Sequence, residues 1–290
     1  MVLVPFSAEG LSPEMEAIAE KDLGETPSVR KDSLERLKKL IAAEPDFYPF
    51  MDDQFLLSFL RHQKHKVPKA FNTLRNYYHF KEKYSRIFTD FLPSEHKEVM
   101  NMNCYSVLPY RDSQGRTITV CTPARLNGKK TSIDDFIAVA LTVGLLGCKL
   151  DAVSICGWVI IFDAKDFSVA DLFKFACVKL LLFVLNSVQD CLPYRLKAIH
   201  VVNEPEIFHA IYNTVKHALP KKIRERVFMH GSNLEELHKY VSPEFLPEEL
   251  GGSLGPIDNT EYFKYALTQE AVLEEMRNCG FKKGDTIKSE

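Results

Sequence analysis

The 290-residue chain predicts an α/β protein: a helical bundle, then a mostly parallel sheet covered by helices. Three observations carry that expectation. The first third consists of amphipathic segments with apolar residues three and four apart and aromatic seams between them. Beyond Pro93, short apolar runs alternate with longer helical stretches. Strands that are apolar on both faces belong in a sheet covered on both sides, and strand–helix–strand order implies parallel crossovers.

Taken in order, Ser33 is placed to cap a helix carrying Leu34, Leu37, Leu40 and Ile41, which Pro45 and Pro49 stop. Asp52 and Asp53 open a second helix with the face Phe55, Leu56, Phe59 and Leu60, ending at Arg61. Pro68 lies just inside the start of a third, followed by Ala70, Phe71, Leu74, Tyr77, Tyr78 and Phe80. A turn signal at 112–115 precedes a β-rich run at 116–122. Ser132 then caps a helix through Ile137, Ala140, Leu141 and Leu145. Strands are predicted at 157–163 and 198–202, with a long helical segment from Ser168 to about Cys191 between them. From Leu172 to Val188 that segment is apolar on nearly every face. It either lies deep in a core or separates the sheet from a cavity.

The helix after Glu204 and Pro205 carries Ile207, Phe208, Ile211, Tyr212, Val215 and Leu219, and is either a cover for the sheet or a lid. A short strand at 227–229 and one helix near 266–276 complete the chain. The expected divisions are a helical domain at 1–95, an α/β domain at 96–256 and a tail with a helix at 257–290.

Composition excludes several classes. A formal net charge of -2 offers no general attraction to nucleic acid. Seven cysteines with no C-x-x-C pair suit a reducing compartment and neither a disulfide framework nor a zinc site. The first residues lack the basic stretch of a signal peptide, and no apolar run is long enough to span a bilayer. The expectation is a soluble cytoplasmic protein, peripheral and transient at membranes. No metalloprotease, nucleophile-elbow, phosphate-loop or dinucleotide motif is present. Asp163 ends a strand but has no base or nucleophile at recognisable spacing, while His200 and His230 read as structural hydrogen-bond partners. The chain is therefore expected not to be an enzyme and to need no cofactor or metal.

One charge constellation stands out against the neutral whole. Arg195 and Lys197 alternate at the start of a strand, so they share a face. Lys221, Lys222, Arg224 and Arg226 follow the possible lid, with Lys222 and Arg226 four apart on one expected helical face. The cluster is either a solvated helix end or a dock for anionic lipid headgroups.

Four ordered segments then carry a resemblance. Residues 189–200 (QDCLPYRLKAIH), 204–208 (EPEIF), 226–231 (RVFMHG) and 246–252 (LPEELGG) resemble the second half of CRAL-TRIO proteins. Residues 53–61 (DQFLLSFLR) are similar to the start of that family's N-terminal helical domain. The resemblance implies a deep apolar pocket closed by the helix after Pro205. Its lining would be Ile137, Leu141 and Gly144, then Ile160 and Phe162, then Val184 and Val188, then Ile199 and Val201, with Phe208, Ile211 and Val215 from the gate. It also implies phosphoinositide binding by Arg195, Lys197, Lys222 and Arg226. The expected partners are a hydrophobic small molecule or lipid and a phosphoinositide-bearing membrane, with no nucleic acid. Where tocopherol-transfer members of the family resemble one another in offering serines, this chain has Ala140 and Gly144. A pocket with fewer polar anchors weakens the case for tocopherol itself and leaves retinoids, carotenoids, other isoprenoids and phospholipid acyl chains open beside tocopherol-like molecules. Two functions follow: a gated carrier, or a phosphoinositide-sensing regulator of membrane traffic that transfers little ligand.

Overall fold

The computed structural model describes residues 2–3, 11–89, 91–126, 131–168 and 191–282. Helices α1 (Pro13–Leu23), α2 (Pro27–Ala43), α3 (Asp53–His62), α4 (Val67–Lys83), α5 (Ser85–Thr89) and α6 (Lys97–Asn101) form the first third. α7 (Ile133–Cys148), α8 (Asp151–Cys156), α9 (Glu206–Val215), α10 (Lys221–Arg224), α11 (Leu234–His238), α12 (Thr260–Thr268) and α13 (Glu270–Asn278) follow. The strands are β1 (Val2–Leu3), β2 (Phe47–Tyr48), β3 (Tyr105–Val107), β4 (Tyr110–Arg111), β5 (Thr117–Cys121), β6 (Trp158–Asp163), β7 (Leu196–Val202), β8 (Val227–Met229) and β9 (Gly280–Phe281). The central sheet has the order β3-β5-β6-β7-β8. β5 through β8 run parallel, and β3 pairs antiparallel at the edge.

Local chemistry explains most helix boundaries. The Asp52 carboxylate accepts from the Phe55 amide at 2.9 Å and opens α3. Ser132 and Asp135 form a reciprocal capping box that opens α7. Ser33, however, caps nothing. α2 begins six residues earlier behind Thr26, whose hydroxyl accepts from the Val29 amide, with Pro27 at the first helical position. Ser33 is buried inside that helix, hydrogen-bonded to the Arg30 carbonyl and to His65 Nδ1 at 2.8 Å. The single C-terminal helix expected near 266–276 is instead two, α12 and α13, broken at Gln269. The segment 169–190, which includes the all-apolar stretch, lies outside the described residues.

Alternation along the strands divides the core between two faces. Ile118, Val120, Val159, Ile161, Ala198 and Val202 pack with Leu237, Val241, Leu246 and Leu250 on one face. On the other, Trp158, Ile160 and Phe162 join α7 and the helical bundle in one continuous cluster that includes Phe55, Phe59, Leu74 and Tyr77. The C-terminus returns to this bundle. β9 pairs antiparallel with β2, and the Lys81 ammonium donates to the carbonyls of Met276, Arg277 and Cys279 at 2.5–2.8 Å. These carbonyls lie at and just beyond the C-terminal end of α13, where a cation is favourably placed. Burial holds that ammonium down at about 8.

Candidate functional site

The β6–β7 pair positions everything relevant. Along the start of β7, Arg195, Lys197, Ile199 and Val201 point alternately away from the buried Ala198, His200 and Val202. One face of one strand therefore changes from cationic to apolar along its length. Gly157, just before β6, makes the cationic end possible. It sits at φ 96°, and a Cβ there would press on the Arg195 carbonyl at 2.6 Å and the Lys197 side chain at 2.7 Å.

The cationic end opens into a cleft of about 330 Å³ lined by Lys21, Asp22, His62, Lys64, Tyr194, Arg195, Leu196, Lys197, Lys222 and Arg226. Of the six cations singled out in the sequence, Lys221 and Arg224 are not in its lining, and the four that the resemblance implies, Arg195, Lys197, Lys222 and Arg226, line it. They do not get there by the expected helical spacing, because α10 ends at Arg224 and Arg226 lies beyond it. Arg226 instead donates to the Leu196 carbonyl, tying the strand before β8 to β7. Lys21 and Asp22 from α1, with His62 and Lys64 around the end of α3, are contributors that sequence reasoning missed. Nothing periodic links them to β7. Their proximity is produced by the packing of α1 on α8 through Met15, Ala19, Leu23, Ala152 and Ile155.

Electrostatically the cleft carries a surplus of positive charge. Among the described residues the one carboxylate in its lining is Asp22, which stands 3.4 Å from Lys197 Nζ and 3.8 Å from the Arg195 guanidinium. Burial lowers the pKa of Arg195, with Asp22 acting in the opposite sense. Lys197 is lowered by burial and then by Arg195 itself, and Arg226 by burial. Arg195 Nε is buried and has no hydrogen-bond partner among the described residues.

The apolar end is closed over by α9. Phe208 on that helix stands 6.3 Å from the Phe162 ring and 5.9 Å from Phe167, which itself meets Phe162 at 6.2 Å. Ile211 packs against the same cluster, as do the buried Ile137 and Leu141 of α7. Ile160 and Ile199 are half-buried on this face, and Val201 is buried. Val184 and Val188 lie outside the described residues, and so does the side chain of Val215. At Gly144 a Cβ would overlap the Tyr194 hydroxyl, so the ring of Tyr194 takes the space a serine would need. That hydroxyl is buried with no partner among the described residues.

The residues weighed for catalysis have structural work. Asp163 accepts from the Lys165 amide at 3.0 Å and from Asn203 Nδ2 at 2.8 Å. His200 and His230 share a hydrogen bond of 2.9 Å beneath Phe228 and Tyr240, and burial holds His200 down at about 4. Among the described residues no group of His, Cys, Asp or Glu could hold a metal ion, and no helix is long and apolar enough to cross a membrane.

Comparison with known proteins gives a consistent outcome. A CRAL/TRIO domain matches residues 101–252. The chain is 32% identical over 253 residues to clavesin-1 of Pongo abelii, covering 86% of this chain and 71% of that protein. It is 32% identical over 265 residues to alpha-tocopherol transfer protein-like of Mus musculus, covering 90% and 76%. The crystal structure of Sfh5 superposes with a TM-score of 0.51 at 15% identity, covering 91% of this chain and 99% of that one, a likeness of fold.

Proposed function

The chain belongs to the CRAL/TRIO family, and on that footing we propose that it binds a hydrophobic ligand and exchanges it at membranes. The ligand would lie between the apolar face of β6 and β7, α7, and the α9 gate. Phe208, Ile211 and Val215 would close the chamber, and Val184 and Val188 would complete it. A tocopherol-like molecule, a retinoid, another isoprenoid or a phospholipid chain would fit that chemistry, and the name of one relative mentions tocopherol transfer. The cleft formed by Arg195, Lys197, Lys222 and Arg226 would take a phosphoinositide headgroup. The same proposal divides the chain at 1–95, 96–256 and 257–290.

The observation that carries this reading is the change of character along β7. The strand that presents Ile199 and Val201 beside the gate presents Arg195 and Lys197 to a cationic cleft at its other end. A bilayer offers both partners at once, an anionic surface and an apolar phase. Burying a CH₂ group contributes about 0.8 kcal/mol, so a long apolar chain held this way leaves into water very slowly. A membrane removes that barrier by accepting the chain directly.

The test is extraction and mass spectrometry of whatever co-purifies with the full chain, followed by transfer of that molecule between vesicles. A stoichiometric apolar ligand, delivered faster to phosphoinositide vesicles than to neutral ones, is the expected outcome. An empty protein that takes up neither retinoids, tocopherols nor phospholipids would overturn it. The cationic cleft also favours a second reading, a phosphoinositide-sensing regulator of membrane traffic. Vesicle binding without measurable transfer would select that one.

A further inference from the structure

Among the described residues the cleft holds one of the wrong sign for an anion site. Asp22 lies in the last turn of α1, which ends at Gly24 in the left-handed conformation. α1 is seated on α8 by Met15, Ala19 and Leu23, so the carboxylate is delivered by a packed helix and not by a wandering loop. It reaches between Lys197 at 3.4 Å and Arg195 at 3.8 Å and remains 38% exposed, hence within reach of an incoming ligand. Both contacts are long for charge-assisted hydrogen bonds, which settle nearer 2.8 Å. Asp22 balances the two cations without saturating them. Arg195 keeps a buried Nε with no partner among the described residues, so its hydrogen-bonding capacity is not used up. Lys21, Lys64, Lys222 and Arg226 surround the pair with further positive charge.

We propose that Asp22 is a built-in competitor that occupies the anion position between Arg195 and Lys197 and must be displaced before a phosphate ester can bind. This rests on the reading of the cleft as an anion site, and it adds a threshold to that site. A singly charged anion gains little over the carboxylate it replaces. One phosphate monoester already brings about two negative charges to the same cations, and a headgroup bearing several brings roughly twice that or more and wins the exchange by a wider margin. Asp22 would therefore set selectivity for multiply phosphorylated headgroups, and would keep buried cations compensated while the cleft is empty.

The experiment compares the full-length wild type with Asp22→Asn and with Glu16→Gln, an equal charge change on the exposed side of the same helix. Binding is measured to neutral vesicles, to vesicles with a phosphatidylinositol monophosphate or bisphosphate, and to soluble inositol trisphosphate. D22N should bind the bisphosphate vesicles on the order of tenfold more tightly, equivalent to about 1.4 kcal/mol. Its preference for bisphosphate over monophosphate should shrink, and E16Q should match the wild type. D22N binding equal to or weaker than wild type overturns the proposal, provided Arg195→Gln/Lys197→Gln abolishes wild-type binding. If no variant binds vesicles or trisphosphate, the anion-site reading falls with it. A D22N gain toward trisphosphate alone keeps the competition and assigns the cleft to a free phosphate ester. Because D22N leaves two cations uncompensated, thermal unfolding is followed with and without trisphosphate. A ligand-induced rise in Tm larger than that of wild type supports the proposal in a destabilised variant, and an equal or smaller rise counts against it.

Discussion

Arg61 and Arg195 are both arginines drawn out of water, and each meets a carboxylate at or just beyond the end of α1. Their surroundings differ in balance. Arg61 has no exposed side-chain surface, and each of its three nitrogens faces an acceptor. Nε and Nη2 grip Glu25 at 2.8 and 2.9 Å, while Nη1 reaches Asp151 at 2.5 Å and Ser154 Oγ at 2.8 Å. His65 adds a third partner to Glu25 at 2.9 Å. Arg195, with 11% of its side chain exposed, has Asp22 at 3.8 Å, a cationic neighbour in Lys197 and an unpartnered Nε among the described residues. A buried cation with matched anions is a staple, here joining the α1–α2 turn, α3 and α8. A buried cation whose neighbours are mostly other cations is poised for an external anion. Burial alone does not separate the two, and charge balance does.

That contrast can be broken most forcefully at Arg61. Arg61→Met leaves the Glu25 and Asp151 carboxylates without their shared cation, at exposures of 2% and 9%. Unfolding in urea should show a loss of about 3–5 kcal/mol. A loss under about 1 kcal/mol would mean the cluster is not the staple described.

Acid probes the same staple from its other side. Burial alone would raise the Glu25 carboxyl, but hydrogen bonds from Arg61 and His65 outweigh it and hold the group at about 2. A carboxyl depressed on folding contributes stability that is fully present above its unfolded pKa, near 4.5, and is lost as pH falls toward 2. Stability should drop by on the order of 3 kcal/mol across that window. In Glu25→Gln this part of the pH dependence should be missing. An unchanged slope in that variant would assign the acid sensitivity elsewhere.

The smallest effect on stability, and the sharpest contrast, is expected at the cleft. Arg195→Gln/Lys197→Gln removes two half-buried cations that repel each other, so unfolding free energy should change by less than about 1 kcal/mol. Capture by phosphoinositide vesicles should nevertheless fall, by roughly thirtyfold if each charge contributes about 1 kcal/mol. Co-sedimentation and a parallel urea titration check both halves. A large stability loss would make Arg195 a second staple and erase the distinction.

Much of this architecture is legible in local pattern. Alternation and apolar runs identify β5, β6, β7 and β8. Capping residues identify the starts of α3 and α7, because a cap is satisfied by amides only two or three residues away. Ser33 shows where such logic stops. Its hydroxyl is as good a cap as that of Thr26, but His65, brought close by the packing of α2 on α3 and α4, claims it inside the helix. The break at Gln269 is similar, since the apolar pattern of the C-terminal helices continues across it.

The sequence by itself determined the α/β class, the succession of strands and helices along the chain and the sign of the β7 face. Each is a matter of periods of two or 3.6 residues, written in neighbours along the chain. Only the tertiary structure decided that Lys21, Asp22, His62 and Lys64 join Arg195, Lys197, Lys222 and Arg226 around one cleft, and that Tyr194 fills the space beside Gly144. The physical reason is range. A charge acts over several ångströms through space regardless of its place in the chain, and no local period records which distant charges the packing of α1 on α8 will bring within that reach.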